Sequence, residues 1–268
     1  MSSFIRSNSV SKKKSGFYLD NFLPSLDNSL ILIKEDEYSY IHEYLLNTFL
    51  SEGVHNKESN ILAVGKNKIE IYDQVSNLNN KDSKINDQVS KMYIAWRYSS
   101  NSSSNSSSKY SLSNKLEYKN EVLKEVSLDS LINKLKSTEG YRISIYSLFS
   151  PSCTKIDIER SLYELKKVVR KNKHICLVSV PTYLYEDINF NQYFDSVMSL
   201  DSNIFDNYLP NYKAVIHFEK INLYKRIREN ENDTFKFGIK FSKDRLVIEK
   251  IDIPPEDIEV EKKSCSSF

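Results

Sequence analysis

The sequence predicts an α/β fold with a mainly parallel sheet, helices on both faces and an antiparallel hairpin near the C-terminus. Two observations lead to this prediction. Short apolar runs alternate along the chain with segments whose apolar residues recur at helical spacing, which is the strand–helix–strand order of parallel sheets. The C-terminal segments instead alternate apolar and polar residues, as antiparallel strands with one exposed face do.

The first half of the chain supplies three strands and one helix. "LILI" at residues 30–33 is an apolar strand, and it leads into a helix over about residues 39–51 with Gly53 placed to end it. "NILAVG", residues 60–65, is a short buried strand. "KMYIAWRYSS", residues 91–100, alternates well enough to form a third strand.

The middle of the chain contains its most regular pattern. A weak helix is expected near residues 127–137, and a buried strand follows in "YRISIYSLFSPS" and ends at Pro151. Thr154 then begins an amphipathic helix with a capping pattern. Its apolar positions are Ile158, Leu162, Leu165 and Val169.

The last strands build the far side of the sheet. "HICLVSVPTYL" and "SVMSL" are apolar strands, and "YKAVIHFEKI" at 212–221 begins the alternating pattern. Residues 235–255 form a hairpin with its turn at 242–244. Such a hairpin extends the edge of a parallel sheet.

The chain of 268 residues has room for one large domain, which we place at residues 16–258. The Ser- and Lys-rich residues 1–15 are predicted to be a disordered tail, and 259–268 form a C-terminal tail. "SSNSSSNSSSKYSLS", residues 99–113, is of low complexity and is predicted to be a flexible surface loop inside the domain.

Composition excludes several classes of protein. A net charge of +2 means that any nucleic-acid contact must come from local clusters or from partner subunits. The three cysteines lack metal-ligand spacing and indicate reduced thiols of an intracellular protein. No apolar run reaches the length of a membrane span, and the basic N-terminus lacks the apolar segment of a signal peptide. His174, which precedes an apolar run, is interpreted as structural.

The junction after the first strand is acidic. Phosphate-binding loops place glycines and a lysine there, but this chain has Glu35, Asp36 and Glu37 and no glycine or lysine over residues 35–40. Since a helix start favours an anion, these carboxylates take the place that a phosphate would have. The alternatives are a capped helix with a solvated turn, or a metal site that lacks evident partner ligands.

A second part of an ATP site is also missing. ATPases of the phosphate-loop class hold magnesium with an acid after a central strand, whereas "RISIYSLFSPS" contains no Asp or Glu. Two missing parts argue against ordinary ATP hydrolysis. We therefore predict no catalytic residue, no metal site and no bound cofactor.

Basic residues that contact RNA are expected in two places. "YKRIR" contributes Lys225, Arg226 and Arg228 beside a tyrosine, and Lys66 and Lys68 follow the second strand. Basic and aromatic groups together suit backbone phosphates and stacked bases. Nearby glutamates dilute the charge, so a solvated loop is the alternative interpretation.

Five segments, in order over residues 17–257, resemble the PAXNEB protein family, which forms the fourth subunit of the Elongator complex. The most distinctive is "MYIAWRY", residues 92–98. The others are "LPSLDNSLILIKEDEY", "LLNTFLSEG", "CLVSVPTYL" and "RLVIEKIDIPPED". Asn28–Ser29 stands where relatives usually have a glycine-rich turn, and the serine tract replaces longer family loops.

The resemblance implies a RecA-like ATPase fold with degenerate nucleotide motifs. It also implies a hexameric ring of the fourth, fifth and sixth subunits, two copies of each. That ring binds tRNA and joins the catalytic subcomplex, whose chemistry modifies the wobble uridine. The implied location is cytoplasmic, and a nuclear location stays open. A divergent RecA-like ATPase and a RecA-like scaffold of an unrelated complex are the competing hypotheses.

The strand that carries "MYIAWRY" also gives candidates for an interface. Trp96 is predicted to belong to the core of the domain. Arg97 points to the other side of the strand, so Arg97 and its neighbour Tyr98 are predicted to contact partner subunits.

Overall fold

The structure is a computed structural model, and its elements lie in one main sheet, three helices and a small second sheet. It describes residues 13–16, 26–74, 109–124, 127–149, 154–202, 212–221, 236–242 and 244–251. The strands are β1 (Leu30–Lys34), β2 (Ile61–Val64), β3 (Ile71–Gln74), β4 (Tyr110–Leu116), β5 (Glu121–Leu123), β6 (Arg142–Ile145), β7 (Ile175–Val180), β8 (Ser196–Asp201), β9 (Ala214–Lys220), β10 (Lys236–Ser242) and β11 (Arg245–Lys250). The helices are α1 (Ile41–His55), α2 (Leu128–Lys136) and α3 (Lys155–Lys171).

The main sheet has nine strands in the order β11-β10-β9-β8-β1-β7-β6-β2-β5. The six from β8 to β5 run parallel, whereas β9, β10 and β11 continue the sheet in antiparallel fashion. The predicted fold class is therefore confirmed, including the hairpin of β10 and β11 at the sheet's edge.

Helices cover both faces of the parallel strands. Ile31 and Ile33 of β1 belong to the core that includes the buried side of α1. Leu30 and Leu32 belong to the opposite core, which α2 and α3 cover. Because both faces of β1 are buried, its sequence is apolar throughout instead of alternating.

The capping prediction for α3 is confirmed. The Thr154 hydroxyl accepts a hydrogen bond from the Asp157 backbone N–H at 3.3 Å, which satisfies one of the free donors at the helix start. The four predicted apolar positions of α3 are all fully buried. Ser127 caps α2 in the same way through the Ser130 N–H.

Two predicted element ends are wrong. Gly53 does not end α1 but lies inside it. The position requires glycine for space, since a Cβ on Gly53 would be 2.6 Å from the Arg142 Cδ. The strand expected to end at Pro151 ends at Ile145. Beyond it Ser147 and Phe149 have positive φ angles of 45° and 78°, which turn the chain out of the sheet. Pro151 lies outside the described residues.

The predicted N-terminal tail is also wrong for its last residues. The Lys13 ammonium donates to the Gly140 carbonyl at 3.0 Å, and the Lys14 carbonyl accepts from the Arg142 guanidinium at 2.9 Å. Ser15 is buried. Residues 13–15 are therefore part of the folded domain, and residues 1–12 lie outside the described part.

The last part of the predicted serine-rich loop is a strand. Residues 110–113 of the expected loop 99–113 begin β4, which pairs with β3 in a second, two-stranded sheet, and residues 99–108 lie outside the described residues. The sequence analysis did not predict β3, because the segment after residue 70 is mostly polar. Ile71 and Tyr72 of this strand are nevertheless fully buried. The expected strand 91–100, with Trp96, Arg97 and Tyr98, lies outside the described residues.

A buried arginine lies at the amino end of β6. Arg142 is fully buried, and its Nε and Nη2 donate to the two carboxylate oxygens of Glu58 at 2.9 and 2.6 Å. Its Nη1 donates to the carbonyls of Lys14 and Phe49, and the guanidinium lies 4.5 Å from the centre of the Phe49 ring. One side chain thus connects the N-terminal segment, α1, β6 and the turn after α1.

Candidate ligand site at the carboxyl edge of the sheet

The topology places a crevice at the carboxyl ends of β1 and β7. These strands are neighbours, yet the chain leaving β1 enters α1 on one face. The chain leaving β7 packs Tyr185 and Phe190 on the other face. In open α/β sheets, ligands bind where adjacent strands send their connections to opposite faces.

An acidic pocket of about 430 Å³ opens at this crevice. It is lined by Glu35, Asp36, Glu37, Tyr38, Tyr183, Leu200 and Asp201. The lining residues come from the segments that follow β1 and β7 and from the end of β8. The Glu35 N–H donates to the Val180 carbonyl at 2.9 Å, which fixes the start of the acidic segment against β7.

The three consecutive carboxylates have different environments. Glu35 turns inward, with its side chain only 7% exposed and its Oε2 3.8 Å from the His42 Nε2. Asp36 accepts hydrogen bonds from the Tyr38 N–H and from the Ser202 hydroxyl, which ties β1 to the end of β8. Glu37 is exposed, and its charge and hydrogen bond raise the pKa of the Tyr38 phenol.

These carboxylates do not cap the helix. α1 begins at Ile41, and its N-cap Tyr40 makes no side-chain capping bond. The acid in the first helical turn is Glu43. The interpretation of a capped helix is therefore wrong, and the acidic segment forms the wall of a pocket.

Lys34, the last residue of β1, directly precedes the acidic segment and was not among the predicted site residues. Its ammonium forms an ion pair with the Glu219 Oε2 at 2.6 Å, and the Lys34 side chain is about three quarters buried. It therefore binds a carboxylate of β9 instead of facing the pocket.

The end of β6 offers no acid for a metal ion. The residue after the strand is Tyr146, whose buried hydroxyl donates to the Asn47 Oδ1 at 2.7 Å. Burial raises the pKa of this phenol well above its ordinary value, so it stays neutral. Within the described ranges, no three potential ligand side chains come together to hold a metal ion.

Comparison with known proteins decides the family. The family model for the PAXNEB protein matches residues 18–122 and 119–267. The chain belongs to the PAXNEB family. The resemblance predicted from five sequence segments is therefore confirmed. No curated protein matches the sequence.

A solved ATPase domain confirms the RecA-like ATPase fold of the PAXNEB chain. It is 11% identical with a TM-score of 0.50, and the match covers 89% of this chain and 93% of that domain. A DnaB-like replicative helicase, studied for its interactions with primase, is 12% identical with a TM-score of 0.49. That match covers 86% of this chain, and the PAXNEB chain spans 60% of the helicase's length. None of the described helices is long and apolar enough to span a membrane.

The structure describes only two of the predicted RNA-contacting residues of the PAXNEB chain, Lys66 and Lys68. The Lys66 ammonium is 2.5 Å from the Glu43 carboxylate and 5.4 Å from the centre of the Tyr146 ring, so its charge is already paired. Lys68 is exposed. Lys225, Arg226 and Arg228 lie outside the described residues, and their role stays a prediction.

His174 of the PAXNEB chain is a structural residue, as predicted. Its buried ring accepts from the Tyr141 N–H at 3.1 Å through Nδ1 and donates to the Leu135 carbonyl at 3.0 Å through Nε2. Burial lowers the pKa of the imidazole. Protonation of Nδ1 would also remove the acceptor that the Tyr141 N–H needs.

Acidification should therefore destabilise the domain. Because the folded-state pKa of His174 lies below its unfolded value, the neutral ring stabilises the fold fully above about pH 6.5 and loses that contribution as pH falls below it. We expect the melting temperature to fall between pH 7.5 and 5. Burial lowers the pKa of His42 and His217 as well, so the decisive comparison is with His174→Gln. This variant should have a lower melting temperature at pH 7.5, but its melting temperature should depend less steeply on pH than that of the wild type. An unchanged pH dependence of the melting temperature would contradict the structural role of His174.

Proposed function

We propose that this chain is a non-catalytic subunit of the Elongator complex. In this proposal it forms a heterohexameric RecA-like ring with the fifth and sixth subunits, two copies of each. The ring binds tRNA and supports wobble-uridine modification by the catalytic subcomplex. Membership of the PAXNEB family supports the assignment to Elongator. The proposed location is the cytoplasm, with a nuclear location left open.

The acidic pocket is the observation that carries the non-catalytic role. Glu35, Asp36 and Glu37 lie where an α/β ATPase would receive phosphate. Two like charges 4 Å apart near a protein surface repel by about 4 kcal/mol. A triphosphate would meet several such charges without the lysine and the backbone donors of a glycine-rich loop to offset them.

A retained fold without its nucleotide chemistry is useful for assembly. The parallel sheet and its two helical layers keep the shape of a RecA-like subunit, which is what neighbouring subunits in a ring recognise. A chain with a net charge of +2 has little long-range attraction for RNA by itself. Binding of tRNA is therefore assigned to the assembled ring.

The purified chain should neither bind Mg–ATP with micromolar affinity nor hydrolyse it. A titration with labelled Mg–ATP and a turnover assay measure both, with an active RecA-like ATPase as positive control. Changing Glu35, Asp36 and Glu37 to Gln, Asn and Gln removes the repulsion, but should not create tight binding because the donors are still missing. Micromolar binding by the wild type that is lost when these three residues become alanine would contradict the proposal.

A further inference from the structure

A residue that lines the acidic pocket has a buried carboxylate oxygen without a partner. Glu35 lines the pocket, and its Oε1 is buried and accepts no hydrogen bond from any described residue. An unsatisfied buried carboxylate oxygen is costly, since desolvation is not offset. The neighbouring His42 does not supply the missing charge, because burial lowers the pKa of its imidazole and keeps it neutral at pH 7.

The described residues supply no cation to the acidic segment. Across the described ranges, no lysine or arginine forms an ion pair with Glu35, Asp36 or Glu37. The connections that follow β1 and β7 at this edge, residues 35–40 and 181–195, contain no lysine or arginine. They add further acids instead, including Glu186 and Asp187.

Two exposed tyrosines form the rim of the pocket. Tyr38 is 69% exposed and Tyr183 is 45% exposed. Tyrosine is enriched in protein interfaces, where its ring packs and its hydroxyl keeps a polar contact. An acidic floor with a tyrosine rim matches a planar cation, because a guanidinium binds carboxylates through paired N–H donors and stacks on aromatic faces.

We propose that the acidic pocket receives an arginine side chain of a partner protein. The Glu35 side chain would turn its unpartnered oxygen toward the pocket, where the guanidinium would donate to it and to the Asp36 carboxylate, with Tyr38 and Tyr183 beside it. A metal ion fits this pocket less well, because among the described residues no three potential metal-ligand side chains come together. A phosphate would be repelled by the carboxylates. This inference goes beyond membership of Elongator, since it describes the chemistry of a surface in whichever complex contains the chain.

A small peptide tests the recognition directly. Acetyl-Gly-Arg-Gly-amide is titrated into the full chain at low salt and followed by NMR, beside the same peptide with citrulline, which has the shape of arginine without its charge. We expect the arginine peptide to bind with a dissociation constant of about 1 mM and the citrulline peptide to bind at least about tenfold more weakly. Equal binding of the two peptides, or no binding of either, would overturn the proposal.

Matched variants show whether the binding occurs in this pocket. Glu35→Gln should weaken the binding of the arginine peptide about tenfold, since it replaces a charged acceptor by a neutral one of the same shape. Glu139→Gln changes an exposed acid near the amino edge of the sheet and should have no effect. Equal loss in both variants, or tighter binding of spermidine than of the arginine peptide, would overturn the proposal.

Crosslinking in cells identifies the natural occupant. A photoreactive phenylalanine analogue replaces Tyr183, and the crosslinked peptide is sequenced from the purified complex. We expect a protein segment with an arginine within a few residues of the crosslink, and loss of the crosslink in Glu35→Gln but not in Glu139→Gln. A crosslink to RNA, or one that neutralisation of Glu35 leaves unchanged, would overturn the proposal. Because the result is independent of which complex is purified, it can hold even if the Elongator assignment fails.

Discussion

Replacing Glu58 with alanine should lower the free energy of unfolding by about 3–5 kcal/mol, because it leaves the buried Arg142 guanidinium without its carboxylate. The free energy of unfolding of such a domain is only about 5–15 kcal/mol, so the substitution removes a large share of its stability. We expect the melting temperature to fall by about 10 °C. Denaturant titration and thermal melting of the purified chain measure the change.

An exposed ion pair provides the matched control. The Lys115 ammonium is 2.7 Å from the Glu70 carboxylate, but the two side chains are 48% and 27% exposed. Glu70→Ala should therefore cost less than about 1 kcal/mol. Equal effects of Glu58→Ala and Glu70→Ala would show that the Arg142 contacts do not hold the N-terminal segment, α1 and β6 together.

The assembled ring should bind tRNA about 10²–10⁴ times more tightly than the free chain does. The two copies of this chain in the ring can each present Lys225, Arg226 and Arg228 to one polyanion, and linked weak sites gain from their effective concentration. Affinity should fall as salt rises, because each phosphate contact releases counterions.

Charge reversal at these three residues tests their part in the binding. We expect weaker binding by the reversed ring for many tRNAs alike, with a smaller salt dependence, since phosphate contacts carry no sequence information. Filter binding at several salt concentrations, on rings of confirmed assembly, measures both quantities. Unchanged affinity and salt dependence in the reversed ring would assign the RNA contacts to the partner subunits.

Local patterns predicted much of the fold because they depend on neighbouring residues. β1, α3 and the terminal hairpin were predicted from apolar spacing, a capping pair and a turn. The β3–β4 pair was not predicted because distant contacts stabilise it. The buried Tyr72 hydroxyl accepts a hydrogen bond from Asn47 of α1, and the Tyr110 hydroxyl donates to Glu52 of α1.

The candidate site was predicted only in part. The acidic segment after β1 was visible in the sequence, but Tyr183 and Asp201 enter the pocket from other strands, and only the sheet order brings them there. The buried Arg142 was not predicted, because arginine is ordinarily exposed. Its position at the start of an apolar strand was the available signal, together with a glycine inside α1 whose missing side chain makes room for it.

The most direct test of the account is native mass spectrometry of the tagged chain purified from its own cells. We expect a hexamer with two copies each of this chain and of two other RecA-like chains, and no nucleotide bound to this chain. Partial dissociation in the instrument should yield subcomplexes that contain this chain beside the other two. A monomer, or an assembly without RecA-like partners, would contradict the assignment of this chain to an Elongator ring.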